Sequence, residues 1–246
     1  MPAERPTIVA TSGGWTRRER GGLDWAGTAH LAVELARVPA GRSPRITYLG
    51  TAGGDQRSWA AEVHAAGERA GFRTTVLDLF PMPSVDDPAR TLLESDVVWV
   101  GGGSVANLLA VWRVHHLDEA FRAAWEAGVV LGGVSAGSIC WFTGGTTDSF
   151  GLDLRPVTNG LGLLPYGNGV HYDSEERRRP LVHELVGSGV LPETHCSDDG
   201  VGLVYQDTEL VEAVTEVAGK GAYVVHRDGD RPGGDVVETR IEPRRL

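Results

Sequence analysis

Residues 129–137 read Val-Val-Leu-Gly-Gly-Val-Ser-Ala-Gly. The first six are apolar or glycine, which is typical of a short strand buried on both faces of a parallel sheet. The last five match G-x-S-x-G, the pattern of a sharp strand-to-helix turn that exposes a serine at the edge of a sheet. Because the small neighbours let the backbone bend there, we predict that Ser135 is a nucleophile.

Four similar apolar runs precede this one, and helical patterns separate them. The predicted strands are residues 7–10, 45–49, 74–79, 96–100 and 129–134, and the predicted helices are 25–36, 59–70, 107–112 and 117–127. Short strands alternating with helices predict an α/β fold, a doubly wound and mostly parallel sheet flanked by helices. Ligands bind such sheets outside the carboxyl ends of the strands, where Ser135 falls.

Beyond about residue 145 the pattern changes to a glycine-rich loop, a charged helix and closely spaced strands. The helix is predicted over 175–186 and the strands over 202–205, 210–214, 222–225 and 236–241. This spacing predicts C-terminal antiparallel strands, with Asp228-Gly229-Asp230 as a tight turn. No low-complexity linker or internal repeat interrupts the sequence, so we expect one domain over residues 1–246.

Charge and cysteine usage narrow the partners and the compartment. The formal net charge is −10, which disfavours binding to nucleic acid or to an anionic membrane surface. Cys140 and Cys196 make no disulfide framework and fit a reducing compartment. No signal-peptide pattern and no apolar run of about 18 residues is present. We therefore expect a cytoplasmic protein without nucleic-acid or membrane partners, and a homodimer stays open.

A serine nucleophile needs a base, and the base needs an orienting acid. Among eight histidines, His171 is favoured because it follows the turn-forming residues 167–169 and is therefore expected on a loop. The alternative is an ordinary surface histidine. Asp148 and Asp199 are both candidates for the acid, and each is also explained as a turn aspartate. No group of residues has the spacing of metal ligands, so no metal is expected.

Gly101-Gly102-Gly103 ends the fourth predicted strand, where glycines let backbone N–H groups approach a ligand closely. With Ala106 the segment satisfies G-x-G-x-x-A, a dinucleotide fingerprint. That fingerprint belongs after a first strand, and no acidic residue ends the next strand here. We predict instead that Gly102 or Gly103 provides an oxyanion donor together with the N–H of Ala136.

Taken together, these motifs resemble the peptidase E family of aspartyl dipeptidases, which is related more distantly to cyanophycinase. The segments that carry the resemblance are Val100-Gly101-Gly102-Gly103, Asn107-Leu108-Leu109, Gly133-Val134-Ser135-Ala136-Gly137-Ser138, Gly162-Leu163-Leu164-Pro165 and His171-Tyr172-Asp173. They span nearly the whole chain.

The resemblance implies a fold similar to class I glutamine amidotransferases, with serine in place of cysteine. It implies a triad of Ser135, Asp148 and His171, with oxyanion donors at Gly103 and Ala136. The implied reaction is hydrolysis of small peptide substrates, dipeptides with an N-terminal aspartate, without metal or cofactor.

Three positions depart from the family pattern. Ser104 stands where the family usually has asparagine. The spacing from Ser135 to Asp148 is slightly shorter than in the enterobacterial dipeptidases, which keeps Asp199 open as the acid. The segment after His171 also differs. An aspartate-reading pocket needs a positioned arginine, for which residues 177–179 are candidates; pairing with glutamates on the same helix is the alternative.

Three other functions fit parts of this pattern. An α/β-hydrolase-type esterase shares the serine turn, but no HGGG-type loop follows the third predicted strand, and about 75 residues follow His171, too many for the late histidine of that fold. A non-catalytic binding module and a nucleotide-binding protein are the remaining alternatives.

Overall fold

The computed structural model describes residues 3–229 and 234–246. Its strands are β1 (Thr7–Thr11), β2 (Trp15–Arg17), β3 (Leu23–Trp25), β4 (Arg45–Leu49), β5 (Arg73–Val76), β6 (Val97–Val100), β7 (Val130–Val134), β8 (Phe142–Thr147), β9 (Arg155–Val157), β10 (Leu164–Gly169), β11 (Thr194–Ser197), β12 (Val201–Gln206), β13 (Glu209–Thr215), β14 (Ala222–Arg227), β15 (Val236–Ile241) and β16 (Arg244–Arg245). Its α-helices are α1 (Gly27–Leu35), α2 (Arg57–Ala70), α3 (Pro88–Leu93), α4 (Val105–Val114), α5 (Leu117–Glu126), α6 (Ala136–Ile139) and α7 (Arg178–Ser188).

The central sheet has the strand order β16-β13-β12-β1-β7-β6-β4-β5. Five neighbouring strands of this sheet run parallel to one another: β1, β7, β6, β4 and β5. On the other side of β1, β12 pairs antiparallel with β1, and β13 pairs antiparallel with β12. A mostly parallel α/β sheet is therefore confirmed. The predicted strands and helices that bear on it are all found, with ends displaced by at most three residues.

Alternating residues of the parallel strands pack into two separate hydrophobic clusters. In β1, Ile8 belongs to the cluster that includes α4 and α5, whereas Val9 belongs to the cluster that includes α1 and α2. In β6, Val98 and Trp99 divide in the same way. Both faces of the sheet are thus covered, which explains why the strands read as nearly continuous apolar runs.

A second sheet, in the order β15-β14-β11-β10-β8-β9, contains residues that the sequence predicted as loop. The expectation that residues 167–169 form a turn is wrong, because they lie in β10. A Cβ on Gly167 would collide with the Thr194 side chain of β11, and one on Gly169 would lie 2.7 Å from Cys196 Sγ. These glycines serve close packing against the neighbouring strand and not chain reversal.

The C-terminal strands form the expected antiparallel pairs, but they join different sheets. The pair β12–β13 extends the central sheet, and the pair β14–β15 extends the second. The predicted turn 228–230 lies partly outside the described residues. The largest hydrophobic cluster takes residues from both sheets, and the single domain over 1–246 stays a prediction. Within the described ranges, no helix is both long and apolar enough to cross a membrane.

Candidate active site

Ser135 occupies the sharp turn between β7 and α6. Its backbone has φ 58° and ψ −115°, a region that non-glycine residues rarely adopt and that is typical of functional turns. The Ser135 N–H donates to Thr11 O at 3.0 Å, which ties the turn to the end of β1. The helix that follows has only four residues, so its dipole adds little to this site.

The glycines on either side of Ser135 are required by close backbone contacts. A Cβ on Gly133 would collide with Gly137 O and lie 2.7 Å from Val100 O. A Cβ on Gly137 would collide with Val100 O from the other side. Because only glycine fits, both outer positions of the G-x-S-x-G pattern are explained by packing of the turn against the end of β6.

The glycines that follow β6 bring a second backbone segment against Ser135. A Cβ on Gly102 would lie 3.2 Å from Ser135 Cβ, and Gly103 has φ 136°. Within residues 3–229 and 234–246, no hydrogen bond is recorded for the N–H of either glycine. The N–H of Ala136 has no helical acceptor, because it opens α6. Gly102 thus lies against Ser135 in space and Ala136 follows it along the chain, while the oxyanion roles of Gly102, Gly103 and Ala136 stay predictions.

Ser104, the departure from the family pattern, caps helix α4. Its hydroxyl accepts a hydrogen bond from the Asn107 N–H at 3.2 Å, and its own N–H donates to Ala52 O. Serine and asparagine are both favoured at this helix position. Serine therefore supplies the cap of α4 that asparagine also can supply.

His171 follows β10 and forms a hydrogen bond with an aspartate. Its Nδ1 lies 2.5 Å from Asp199 Oδ1. The backbone N–H of Asp199 donates in turn to Asp173 Oδ1 at 2.9 Å. The His171 side chain is 24% exposed, so the imidazole stays open to a substrate while its Nδ1 is held.

Asp148, the acid implied by the family resemblance, does not hold the imidazole of His171. The register of β8 and β10 pairs Gly145 with Asn168, so Asp148 and His171 each come three residues later. Asp199 follows β11, the other neighbour of β10. Both aspartates thus flank His171, but Nδ1 is bonded to Asp199, while Asp148 is exposed. The expected Asp148 contact is replaced by the alternative, Asp199.

Residues at the end of β1 form hydrogen bonds with both the turn that carries Ser135 and the loop that carries His171. The Ser12 hydroxyl accepts a hydrogen bond from the His171 N–H at 3.0 Å, and it also bonds with Ser197 Oγ at 2.7 Å. Thr11, the preceding residue, accepts from the Ser135 N–H. The last residue of β1 and the residue after it therefore hold the backbones of Ser135 and His171.

The carboxylates next to Asp199 accept hydrogen bonds from one lysine side chain and from backbone N–H groups. Burial alone would raise the pKa of Asp173, but the Lys220 side chain and the Asp199 N–H bond to its carboxylate and lower it. Burial raises the pKa of Asp198, even though Gly221 N–H donates to it. Asp173 and Asp198 thus lie close to Asp199, and the Lys220 side chain pairs with Asp173.

The arginines that were candidates for reading an aspartate side chain all have partners in the protein. Arg177 pairs with Asp153, Arg178 is buried and bonds to Glu175, and Arg179 pairs with Glu238. Arg179 also lies 4.6 Å above the Tyr172 ring. All three arginines are therefore paired within the protein, but only the Arg178–Glu175 pair matches the expected pairing with nearby glutamates, and all three acidic partners lie outside α7.

A cavity of about 330 Å³ opens beside Ser135. Gly102 and Val134, which flank the serine in space and along the chain, form its inner wall. Most of the other large lining side chains are aromatic or acidic: Trp15, Tyr48, Trp59, Asp55 and Asp78. Sequence reasoning missed these residues because they match no motif. The sequence signal that could have pointed to Asp55 is its position after β4, the strand that neighbours β6 in the sheet.

The comparisons with known proteins agree on one family. The profile of peptidase family S51 matches residues 21–213. The uncharacterized peptidase YgaJ of Bacillus subtilis is 39% identical over 184 residues, 74% of this chain and 78% of that protein. Peptidase E of Streptomyces coelicolor is 30% identical over 158 residues, 64% of this chain and 60% of that protein.

Two solved structures have a similar fold. One is a peptidase from an acI-B1 actinobacterium, with TM-score 0.62 and 15% identity over 99% of this chain and 96% of that one. The other is a putative peptidase E protein from Listeria monocytogenes EGD-e, with TM-score 0.56 and 14% identity over 96% and 98%. At these identities the likeness shows the fold alone.

An α/β fold with peptidase relatives defines the class of this protein as a peptidase. The chain belongs to peptidase family S51, as the sequence resemblance predicted. The likeness to class I glutamine amidotransferases stays a prediction. Within the described part of the chain, no three His, Cys, Asp or Glu residues are grouped as metal ligands would be.

Proposed function

We propose that this chain is a serine-type peptidase that cleaves short peptides through an acyl-enzyme on Ser135. The observation that carries the proposal is the hydrogen bond between His171 Nδ1 and Asp199 Oδ1 at 2.5 Å, on the loop tied through Ser12 to the serine turn. A strained serine turn and an oriented imidazole are the two parts that nucleophilic hydrolysis needs.

In the first step His171 acts as general base. A proton on Nδ1 shared with Asp199 leaves the Nε2 lone pair free to accept the hydroxyl proton of Ser135. Ser135 Oγ then forms a bond to the carbonyl carbon of the scissile peptide. The carbonyl oxygen becomes an oxyanion, which accepts hydrogen bonds from the N–H groups of Ala136 and of Gly102 or Gly103.

In the second step His171 gives its proton to the leaving amine as the C–N bond breaks. The acyl group remains on Ser135 as an ester. A water molecule then loses a proton to His171 and its oxygen bonds to the acyl carbon. The bond from that carbon to Ser135 Oγ breaks, the carboxylic acid product leaves, and His171 returns its proton to Oγ to restore the hydroxyl. Asp199 keeps the imidazole oriented and stabilises its charged form throughout, with no net consumption of any group on the protein.

The family resemblance points to dipeptides with an N-terminal aspartate, and this stays a prediction. The three arginines after His171 are already paired within the protein, so they do not support recognition of a substrate carboxylate. We therefore confine the proposed substrate to short peptides and include aspartyl dipeptides as one arm of the test.

The test is turnover of a panel of X-Ala dipeptides and of a simple aryl ester by the purified protein and by Ser135→Ala. Ser188→Ala, which removes an exposed hydroxyl at the end of α7, is the matched control. We expect Ser135→Ala to lower peptide hydrolysis by several orders of magnitude and the control to match the parent. Cleavage of the ester but of no peptide would favour the esterase, and peptide turnover that survives in Ser135→Ala would refute the proposal.

A further inference from the structure

The cavity beside Ser135 contains a buried carboxylate oxygen without a partner. Asp55 is 8% exposed, and its Oδ2 accepts hydrogen bonds from the backbone N–H of Leu79 at 2.6 Å and of Phe80 at 3.1 Å. Within the described residues, its Oδ1 has no hydrogen-bond partner. Buried carboxylate oxygens are normally satisfied, so the cavity offers an acceptor that a ligand can fill.

No basic side chain of the described residues is paired with Asp55. Burial raises the pKa of the Asp55 carboxyl, and the charge of Asp78 raises it further. The backbone N–H groups of Leu79 and Phe80 act in the opposite direction. Burial also raises the pKa of Asp78, where Arg57 and His64 act in the opposite direction. Two carboxylates therefore share this cavity, and only Asp78 has a basic group nearby. A bound cation would relieve the repulsion between them.

Three aromatic side chains that contact one another line the cavity. The rings of Trp15 and Trp59 have centroids 5.5 Å apart and meet at 83°, and those of Trp15 and Tyr48 have centroids 6.0 Å apart at 69°. The Trp59 indole N–H is already donated to the Tyr48 hydroxyl at 2.6 Å. Aromatic side chains that line a cavity attract cations and not carboxylates.

We propose that this cavity, defined by Trp15, Tyr48, Trp59, Asp55 and Asp78, binds a protonated amine or guanidinium of the peptide whose carbonyl lies at Ser135. The inference rests on the proposed function, because it assigns the substrate class of the same site. The cation has two sources: a lysine or arginine side chain on the residue that is cleaved, or the free α-ammonium of that residue.

Four substrates separate these sources: the p-nitroanilides of lysine and norleucine, each with a free and with an acetylated amino group. Norleucine matches the lysine side chain without its charge. If the side chain supplies the cation, lysine exceeds norleucine in kcat/KM by on the order of 10-fold or more in both series. If the α-ammonium supplies it, the free forms exceed the acetylated forms by a similar factor whichever side chain is present.

Acid-to-amide variants locate the effect in the cavity. Asp55→Asn retains an oxygen for the Leu79 and Phe80 N–H groups, and Asp78→Asn leaves Asp55 itself intact. Each is expected to lower the preference for the charged member of the pair by about 10-fold. Asp118→Asn in α5, which is not a lining residue, is the matched control and should keep the preference of the parent.

A binding measurement on Ser135→Ala keeps this inference separate from the catalytic one. Calorimetry with lysinamide, norleucinamide and their acetylated forms reports the cavity without turnover. Equal binding and equal turnover of charged and neutral forms would overturn the cation site while leaving Ser135-dependent hydrolysis intact. Conversely, hydrolysis that persists in Ser135→Ala would overturn the proposed function, and tighter binding of the charged form would still support the cavity.

Discussion

His171 Nδ1 and Asp199 Oδ1 lie 2.5 Å apart because their loops leave neighbouring parallel strands at the same edge of the second sheet. The register of β10 and β11 pairs Gly169 with Cys196. His171 follows two residues after the first of these, and Asp199 follows three residues after the second. The pairing is therefore a consequence of strand order, and Asp199 lies on the far side of β10 from Asp148.

Asp199→Asn is expected to lower kcat/KM by on the order of 10²- to 10⁴-fold, because the amide no longer fixes the imidazole tautomer that accepts the Ser135 proton. Asp148→Asn changes an exposed aspartate after the other neighbouring strand and is the matched control, expected to stay close to the parent. Steady-state kinetics on the best peptide checks both. A larger loss in Asp148→Asn than in Asp199→Asn would return the role of the acid to Asp148.

Ser12→Ala is expected to lower kcat more than it changes KM, because the His171 N–H loses its buried acceptor and the histidine loop is no longer held. Ser95→Ala removes another buried hydroxyl, one that bonds with Thr47 Oγ1 and Thr91 O. Both variants should lose on the order of 1–3 kcal/mol of unfolding free energy. A kcat loss of equal size in both variants would show that the effect of Ser12 is one of stability alone.

Gly103→Ala is expected to destabilise the fold more than Gly151→Ala. Both glycines have positive φ, 136° and 140°, but a Cβ on Gly103 would collide with Ala52 O whereas nothing lies within 4 Å at Gly151. Each change carries backbone strain of about 1–3 kcal/mol, and the collision adds to it for Gly103. Urea unfolding of the two variants measures the difference, and equal midpoints would contradict the packing of the glycine loop.

Asp55→Asn is expected to gain stability relative to the parent as the pH rises. Burial raises the folded-state pKa of Asp55 above its unfolded value, so the folded protein binds the extra proton between those two values. The stability from this group is complete below the unfolded pKa and is lost as pH rises through the folded pKa. Asparagine has no such loss. Urea unfolding from about pH 4 to pH 8 tests this, and an advantage that shrinks with rising pH would contradict it.

The central sheet and the serine turn could be predicted because their signals are local. Apolar runs buried on both faces mark β1, β6 and β7 directly in the sequence, and the glycines around Ser135 lie at the end of β7 and in α6, next to the serine in the sequence. The second sheet was hidden because its glycines resemble turn residues. In β10, Gly167 and Gly169 are required by side chains of β11, and such long-range contacts leave no trace in local composition.

The acid and the substrate cavity depended on contacts that the sequence does not encode locally. Asp148 and Asp199 follow strands on opposite sides of β10, so choosing between them requires the direction in which the His171 ring points. Trp15 and Asp55 come from segments 40 residues apart in the sequence that line one cavity in the folded chain. The rule that ligands bind at the carboxyl ends of parallel strands predicted where the cavity lies. It could not predict that acidic and aromatic side chains line the cavity.

The most direct test of the central claim is labelling with a fluorophosphonate followed by peptide mapping by mass spectrometry. We predict one adduct per chain, located on Ser135, with loss of peptide hydrolysis in proportion to labelling and slower labelling of Asp199→Asn. A fully active protein in which Ser135 stays unmodified, or an inactivating adduct on a different residue, would contradict the account.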